Sequence, residues 1–191
     1  MAFSSAVRSS GFLIRLTRRK YVEAKKAFQF AHALDPKNLQ IVIDLADLQV
    51  QVGDYAGYRV SKQKLMNERS SDNNYWLGFI MGAYLDNKFD LCVDIITTFR
   101  ETLDAKPSYC RQELLFIESD CYARKKDWEN AIRVLEKGMG DILDESRARE
   151  TLARDYGYSN QLKKSEALWR ELLSENCDNV LYFRGIEWYA H

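Results

Sequence analysis

The residue types that most often perform catalysis are sparse in this 191-residue chain. It has two histidines, His32 and His191, and it lacks glycine-rich phosphate-binding loops, HExxH metal motifs and GxSxG nucleophile motifs. Carboxylates such as Asp44 and Asp47 lie at helical spacing and could in principle exchange protons, but solvated surface charge is their more common role. We therefore predict no catalytic residues, no cofactor-binding residues, no cofactor and no enzyme activity.

The four cysteines do not form a metal-binding pattern. Cys92, Cys110, Cys121 and Cys177 are separated by 18, 11 and 56 positions, and no Cys-x-x-Cys occurs. A structural zinc site needs four clustered ligands, which this spacing does not supply. We predict four reduced, partly buried thiols and no metal site.

Aromatic residues could instead form a ligand cage or a base-stacking platform. The chain has four tryptophans, Trp76, Trp128, Trp169 and Trp188. Trp76 and Trp128 fall on packing positions of the repeat described next, so we predict that both belong to the core. His32 lies between two alanines with no second ligand nearby in sequence, which indicates a helix-surface histidine.

A repeated pattern defines the elements that hold these residues. Five segments begin with an aromatic or aliphatic residue and continue as helix, and four of them have a small residue three positions later. Their lead residues are Tyr21, Tyr55, Phe89, Trp128 and Leu162. The intervals are 34, 34, 39 and 34, and 34 is the tetratricopeptide (TPR) period. A loop near Pro107 accounts for the longer interval.

This register predicts pairs of helices, each with a first and a second member. The first helices are expected near residues 39–52, 73–87, 110–125 and 146–160, with another starting at Val180. The second helices are expected near 20–34, 54–68, 88–103, 127–142 and 162–175, with Asp54 and Asp127 as N-caps. The predicted fold is all-α: a TPR-type α-α superhelix (helical-hairpin solenoid) over residues 20–191, with four to five hairpins and incomplete at both ends.

The two ends of the repeat region carry their own predictions. Residues 1–19 are basic and do not match the repeat, so we expect a disordered segment; a mitochondrial transit peptide, a basic tail and a wrongly predicted first exon remain alternatives. At the other end, an apolar stripe should lack cover within the chain and favour self-association. This stripe consists of Leu181, Phe183, Ile186 and Trp188.

Charge is unevenly distributed although the net charge is zero. Residues 1–37 hold eight Lys and Arg against two acids, and the remainder is net negative. Such a basic end can approach RNA, anionic lipid or an acidic protein, or can be a solvated tail. The basic residues that could make such a contact are Arg15, Arg18, Arg19, Lys20, Lys25 and Lys26, and Lys25 and Lys26 are expected to face outward from their helix. No apolar run is long enough to span a bilayer, and we predict neither a membrane nor a DNA partner.

The TPR register also predicts a ligand groove. In TPR hairpins, motif positions 2, 5, 9, 12 and 13 of the first helices point inward, and an amphipathic helix or an extended peptide can lie against them. A solvated groove without ligand is the alternative. The candidate groove residues are Ile43, Asp47, Leu77, Met81, Tyr84, Phe116, Asp120, Arg124, Arg147, Glu150, Arg154 and Tyr158.

Several short signatures go beyond general TPR usage. They include Asn-Leu-Gln-Ile at 38–41, Leu-Gln-Val-Gln at 48–51, Gly-Tyr-Arg at 57–59 and Trp-Leu-Gly-Phe at 76–79. With Phe-Arg at 99–100 and residues 179–187, they resemble the TPR auxiliary subunit of the N-terminal acetyltransferase A complex, NatA. The likeness runs from about residue 20 to residue 187, and residues 1–19 do not share it.

The resemblance implies a non-catalytic scaffold. In that family the auxiliary subunit is a long α-solenoid that wraps the catalytic acetyltransferase subunit and docks it on the cytoplasmic ribosome for co-translational N-terminal acetylation. The match covers an early part of that solenoid, which implies that the main contact region for the catalytic subunit lies in later repeats. A stand-alone TPR adaptor that binds a peptide and an organellar helical-repeat protein remain alternatives.

Overall fold

The computed structural model describes residues 20–103, 106 and 108–189, and side chains as far as Trp188. Within these ranges the chain is helical and has no strand. The α-helices are α1 (Tyr21–Leu34), α2 (Leu39–Gln51), α3 (Tyr55–Glu68), α4 (Asn73–Leu85), α5 (Phe89–Thr102), α6 (Tyr109–Arg124), α7 (Trp128–Gly138), α8 (Glu145–Tyr158), α9 (Leu162–Glu175) and α10 (Val180–Tyr189).

The predicted all-α, TPR-type fold is confirmed, and most helix bounds agree with the predictions within two residues. The exception is α7, which was expected to continue to residue 142. It ends at Gly138 and is followed by a 3-10 turn, Met139–Asp141. Glycine is among the weakest helix formers. The two closely spaced glycines Gly138 and Gly140 therefore favour an early end of α7. The predictions for residues 1–19 lie outside the described residues.

The chain divides into two compact units, residues 1–95 and 96–191, with the boundary inside α5. In the first unit, α1 packs on α2, α2 on α3 and α3 on α4. In the second unit, α6 packs on α7, α7 on α8, α8 on α9 and α9 on α10. Within each unit these helices thus contact their neighbours in sequence, as expected when successive repeats stack.

The turns between first and second helices share one backbone conformation. Gly53, Asn87, Lys126 and Asn160 all have positive φ, between 56° and 73°. In each turn the next residue's N–H donates to the carbonyl five residues earlier, for example Asp54 N–H to Gln49 O at 2.8 Å. This pattern is a Schellman C-cap, and it recurs at the same 34, 39 and 34 residue intervals as the lead residues.

The second helices begin with side-chain caps in two of the predicted places. The Asp54 carboxylate accepts from Gly57 N–H at 3.0 Å, and the Asp127 carboxylate accepts from Asn130 N–H at 3.2 Å. Both N-cap predictions are therefore confirmed. The first helices are capped too, by Asn38, Asp72, Ser108, Asp144 and Asn179.

Small side chains set the spacing between paired helices. Ala24, Cys92, Ala131 and Ser165, each three residues after a lead residue, are fully buried. The Ser165 hydroxyl donates to Ala153 O at 2.7 Å, twelve residues earlier, where the two helices of one hairpin cross. Tyr58 occupies the equivalent place in α3, and there the nearby Ser61 hydroxyl donates instead to the buried Gln49 side chain at 2.8 Å.

Candidate binding surface on the first helices of the hairpins

The first unit presents an apolar face on α4. Leu77 and Met81 lie one helical turn apart and are exposed to 37% and 40%. Tyr84 is half-buried, and its ring contacts Phe89 edge-on at a centroid distance of 6.1 Å. On α2, Ile43 is half-buried and Asp47 is exposed. The predicted groove positions of this unit therefore expose mainly apolar side chains with one carboxylate.

In the second unit, part of the predicted groove is used for packing. Phe116 of α6 is only 7% exposed, because it belongs to a buried apolar cluster that includes Leu152 and because the Arg147 guanidinium of α8 lies 4.0 Å from its ring centroid. Arg147 also binds both carboxylate oxygens of Glu113, at 2.6 and 3.3 Å. The prediction that Phe116 lines an open groove is wrong, since a cation–π contact and an ion pair cover it.

Glu150 likewise connects neighbouring helices. Its carboxylate accepts a hydrogen bond from the Tyr182 hydroxyl of α10 at 2.5 Å. This bond, with burial, raises the pKa of Tyr182, because the bond favours the protonated phenol. Arg147 and Glu150 thus join α8 to α6 and to α10 respectively.

The open part of this surface lies toward the C-terminal ends of α6 and α8. Arg154 is exposed and Tyr158 is 53% exposed, with its ring stacked on Trp128 at 4.8 Å. Asp120 and Arg124 form an exposed i, i+4 ion pair at 2.8 Å. A ligand in this unit would meet two arginines, one carboxylate and a stacked aromatic pair.

Beneath this open part lies Asp155, a buried carboxyl group that the sequence analysis missed. Asp155 is 3% exposed, and its Oδ2 has no hydrogen-bond partner among the described residues. Burial raises its pKa to about 6; Arg154 opposes the rise and Asp120 adds to it. Nothing in the local sequence distinguishes Asp155 from surface carboxylates.

The predicted basic surface is only partly exposed. Lys20 and Lys26 are exposed, but the Lys25 Nζ lies 3.0 Å from Asp54 Oδ2 and its side chain is only 21% exposed. Although burial acts in the other direction, hydrogen bonds from Lys25 and Gly57 hold the pKa of Asp54 below its ordinary value. The prediction that Lys25 faces outward is therefore wrong, because an N-cap aspartate of the next second helix binds it. Arg15, Arg18 and Arg19 lie outside the described residues.

The tryptophan predictions need correction. Trp76 and Trp128 are half-buried rather than core residues. The Trp76 indole N–H donates to Ser70 O at 2.8 Å, and Trp128 stacks on Tyr158. Trp169 is buried and Trp188 is 74% exposed.

The apolar stripe predicted on α10 is only partly exposed. Leu181 and Trp188 are 63% and 74% exposed. Ile186, predicted to be uncovered, instead packs with the buried cluster of Trp169, Leu172 and Tyr182.

Metal ligands do not cluster within the described part of the chain. No group of three or more His, Cys, Asp or Glu there could hold an ion. Cys92 and Cys121 are buried, Cys110 is half-buried and Cys177 is exposed, and none of the four forms a disulfide. Among the described helices, none combines the length and the apolarity that a membrane span requires.

The fold and this surface define the chain as a TPR-type helical-repeat protein. No family model matches it. A tetratricopeptide repeat protein from Parabacteroides merdae superposes with a TM-score of 0.70 at 14% identity, covering 99% of this chain and 73% of that one. At this identity the likeness shows the fold alone.

The predicted resemblance to NatA auxiliary subunits is confirmed. The chain is 26% identical over 178 residues to human N-alpha-acetyltransferase 16, NatA auxiliary subunit, covering 92% of this chain and 21% of the human protein. It is 28% identical over 182 residues to the Arabidopsis thaliana NatA complex auxiliary subunit NAA15, covering 93% of this chain and 20% of that protein. It therefore spans about a fifth of the length of these relatives.

A solved structure extends this likeness to three dimensions. A chain from the structure of Naa15/Naa10 bound to HypK-THB superposes with a TM-score of 0.83 at 28% identity. The match covers 94% of this chain and 28% of that chain. The relatives are auxiliary rather than catalytic subunits, which agrees with the prediction that this chain is not an enzyme.

Proposed function

We propose that this chain is a non-catalytic TPR scaffold that binds the catalytic subunit of an N-terminal acetyltransferase complex of the NatA type. The observation that carries the proposal is the superposition on a chain of the Naa15/Naa10 structure, with a TM-score of 0.83 over 94% of this chain. Sequence identity of 28% over the same region supports more than a shared fold. The partner would then perform the catalysis, and this chain would supply a binding surface for it.

Two surfaces are proposed for the contact. In the first unit, Leu77 and Met81 offer an apolar strip beside Tyr84 that suits the apolar face of a partner helix. In the second unit, Arg154 and Tyr158 offer a charged and aromatic edge. Arg and Tyr are frequent energetic centres of protein interfaces, which favours these two residues among the exposed ones.

Ribosome docking in the cytoplasm is the finer part of the proposal. Its support is the resemblance to NatA auxiliary subunits together with exposed Lys20 and Lys26 at the start of α1. Lysines held on a helix can contact a phosphate backbone without reading sequence. Because Lys25 is bound to Asp54, the described part of α1 offers fewer available charges than its sequence suggests.

Co-purification tests the scaffold proposal. A tagged version of the chain is co-expressed with the catalytic acetyltransferase subunit of the same organism, captured and washed. We expect the subunit to be retained, and retention to fall at least several-fold for Tyr84→Ala with Arg154→Ala. The matched control is Tyr109→Ala, an aromatic residue that is 73% exposed and outside the proposed surfaces.

The outcomes separate the possibilities. Loss of the subunit with the double variant, which circular dichroism shows to be folded, supports both the partner and the surface. Retention of the subunit by both variants alike rejects the assigned residues. No retention by the wild-type chain rejects the scaffold proposal itself. Acetylation of Ser- or Ala-starting peptides by the purified chain alone would contradict its non-catalytic role.

A further inference from the structure

Asp155 occupies a position of the repeat that is apolar or small in the other hairpins. It lies five residues before Asn160, the positive-φ residue of the α8–α9 turn. The residues five positions before the other three positive-φ residues of the described chain are Leu48, Gly82 and Cys121. These residue types differ, and what they share is burial in the folded chain. Among these four hairpins, a carboxyl group is buried at this position only in α8.

The Asp155 side chain lacks the hydrogen-bond donors that an ionised carboxylate requires. It is 3% exposed, and within the described residues its Oδ2 accepts no hydrogen bond. Tyr158 lies one helical turn later, on the same side of α8, and its ring stacks on Trp128 of α7. Burying a carboxylate without a partner costs far more free energy than burying a neutral carboxyl group. The closed end of α8 therefore suits Asp155 in its protonated form.

Nearby charges offset the cost of ionising Asp155 only in part. Burial is the largest influence and raises its pKa to about 6. Arg154 on the same helix opposes the rise, whereas Asp120 on α6 adds to it as a like charge. The Asp120 carboxylate is itself paired with Arg124 at 2.8 Å. Neither arginine donates a hydrogen bond to Asp155 Oδ2, so that oxygen stays unpaired when the group ionises.

The helices α7 and α9, which pack against α8, each place a charged group at the adjacent residue, Tyr156. The Tyr156 hydroxyl donates to the Glu136 carboxylate of α7, and the Lys164 Nζ of α9 lies 4.9 Å from the Tyr156 ring centroid. Neither group bonds Asp155 Oδ2. Once ionised, Asp155 can gain hydrogen-bond donors from water if the last turn of α8 opens.

We propose that Asp155 acts as a proton-controlled latch at the end of α8. With the proton bound, Tyr158 stays stacked on Trp128; with the proton lost, the last turn of α8 opens far more often and admits water to the carboxylate. Opening at a helix end breaks few contacts, so it requires less free energy than unfolding the whole unit. The hydrogen bond from Gln161 N–H to Tyr156 O, at 2.8 Å, closes this turn and reports its opening. The latch is a property of this chain alone and does not depend on the partner proposed above.

Amide hydrogen exchange of the full chain, followed by NMR and corrected for the intrinsic exchange rate, tests the proposal. Exchange of Gln161 N–H should accelerate by up to about 100-fold between about pH 4 and pH 7, because two pKa units correspond to that factor. The internal control is Asp127 N–H, which closes the equivalent turn after α6 by donating to Tyr122 O at 3.0 Å. The core position of that hairpin holds Cys121, so protection of Asp127 N–H should change much less.

Three variants test the parts of the latch. Asp155→Asn should keep exchange of Gln161 N–H slow at both pH values, because asparagine stays neutral. Asp155→Cys, which inserts the residue of the equivalent position in α6, should behave in the same way and replaces the first variant if asparagine disturbs folding. Tyr158→Ala removes the stack on Trp128 and should accelerate exchange of Gln161 N–H already at low pH.

Several outcomes would overturn the proposal. Equal acceleration at Gln161 and Asp127 would mean that unfolding of the whole unit, and not the end of α8, responds to pH. Exchange at Gln161 that pH does not change, or a wild-type pH dependence in a folded Asp155 variant, would show that the carboxyl group controls no opening. Slow exchange of Gln161 N–H in Tyr158→Ala at low pH would remove the ring stack from the latch.

Discussion

At the residue scale, Asp155 places a carboxyl group inside the packed second unit. Its pKa is about 6 in the folded chain against 3.8 ordinarily, so the folded state binds the proton more tightly. The contribution of Asp155 to the free energy of unfolding should therefore be largest below the ordinary pKa and fall as the pH rises through this window. This contribution is fully lost above the folded pKa. A difference of about two pKa units corresponds to roughly 3 kcal/mol in the free energy of unfolding.

The variant Asp155→Asn should remove this dependence. Asparagine stays neutral, so the variant should unfold at higher urea concentration than the wild type near neutral pH and converge with it in acid. Denaturant titrations over the pH range measure the difference. Asp178→Asn, at an exposed carboxylate, should keep the wild-type slope. If Asp155→Asn shows the same dependence of unfolding on pH as the wild type, Asp155 does not govern the pH response.

Lys126 adopts a backbone conformation that suits glycine better. Its φ is 62°, and it occupies the C-cap position that Gly53 fills in the α2–α3 turn. A left-handed conformation costs a residue with a Cβ about 1 kcal/mol relative to glycine. Lys126→Gly should therefore raise the free energy of unfolding by about 0.5–1 kcal/mol, measured by urea denaturation.

The neighbouring residue supplies the control. Lys125 has φ −82° and ψ −2°, a right-handed conformation in which glycine gains nothing and loses more chain entropy. Lys125→Gly should be neutral or destabilising. Stabilisation by both substitutions, or by neither, would contradict the strain assigned to Lys126.

At the element scale, α3 and α4 approach closely because Gly82 has no side chain. A Cβ at Gly82 would lie 2.9 Å from the Arg59 Cα, a backbone atom that cannot move without shifting α3. At Gly78, one turn earlier on the same helix, the nearest atom is the flexible Lys62 Cδ at 3.0 Å. A side chain added at Gly82 would therefore clash with backbone, whereas one added at Gly78 would meet only a flexible side chain.

Alanine substitution should separate the two positions. Alanine is a better helix former by about 1 kcal/mol, so Gly78→Ala should be neutral or stabilising. Gly82→Ala should destabilise by about 1–3 kcal/mol because overpacking outweighs that gain. Thermal or urea unfolding measures the change in stability of each variant. Equal effects of the two substitutions would rule out a close α3–α4 contact.

The sequence predicted those features of the helices that depend on nearby residues and missed those that depend on contacts between helices. Helix bounds and the caps Asp54 and Asp127 depend on residues within one turn, so periodicity and composition predicted them. The burial of Phe116 depends on Arg147, 31 residues later, and the pairing of Lys25 depends on Asp54, 29 residues later. Comparing equivalent positions of adjacent repeats provides one usable signal: Glu113 and Arg147 are 34 apart and carry opposite charge.

Asp155 shows where such comparison fails. Its burial depends on how α8 packs, and its sequence neighbours Arg154 and Tyr156 have different exposures on one helix. The positive φ of Lys126 was equally hidden, because lysine gives no turn signal. By contrast, Gly53, Asn87 and Asn160 are residue types that favour turns, and they would have marked the other three turns.

At the scale of the whole molecule, the proposed ribosome docking should depend on the exposed lysines of α1. Lys20 and Lys26 are available to phosphate groups, whereas Lys25 is bound to Asp54. Phosphate contacts release counterions, so binding should fall steeply as salt rises. Each lysine that contacts phosphate contributes roughly one unit to the logarithmic salt slope. Lys20→Glu with Lys26→Glu should therefore weaken binding and reduce that slope by up to about two.

Sedimentation with ribosomes at low and at moderate salt provides the measurement. The control variant, Lys137→Glu with Lys163→Glu, makes the same charge change at two exposed lysines of the second unit and should bind like the wild type. Lys25→Glu should instead lower stability, because it places a second carboxylate beside Asp54. If the α1 double variant co-sediments as well as the wild type at both salts, α1 is not part of the docking surface. A matching loss in the control variant would mean that net charge, and not this helix, controls the contact.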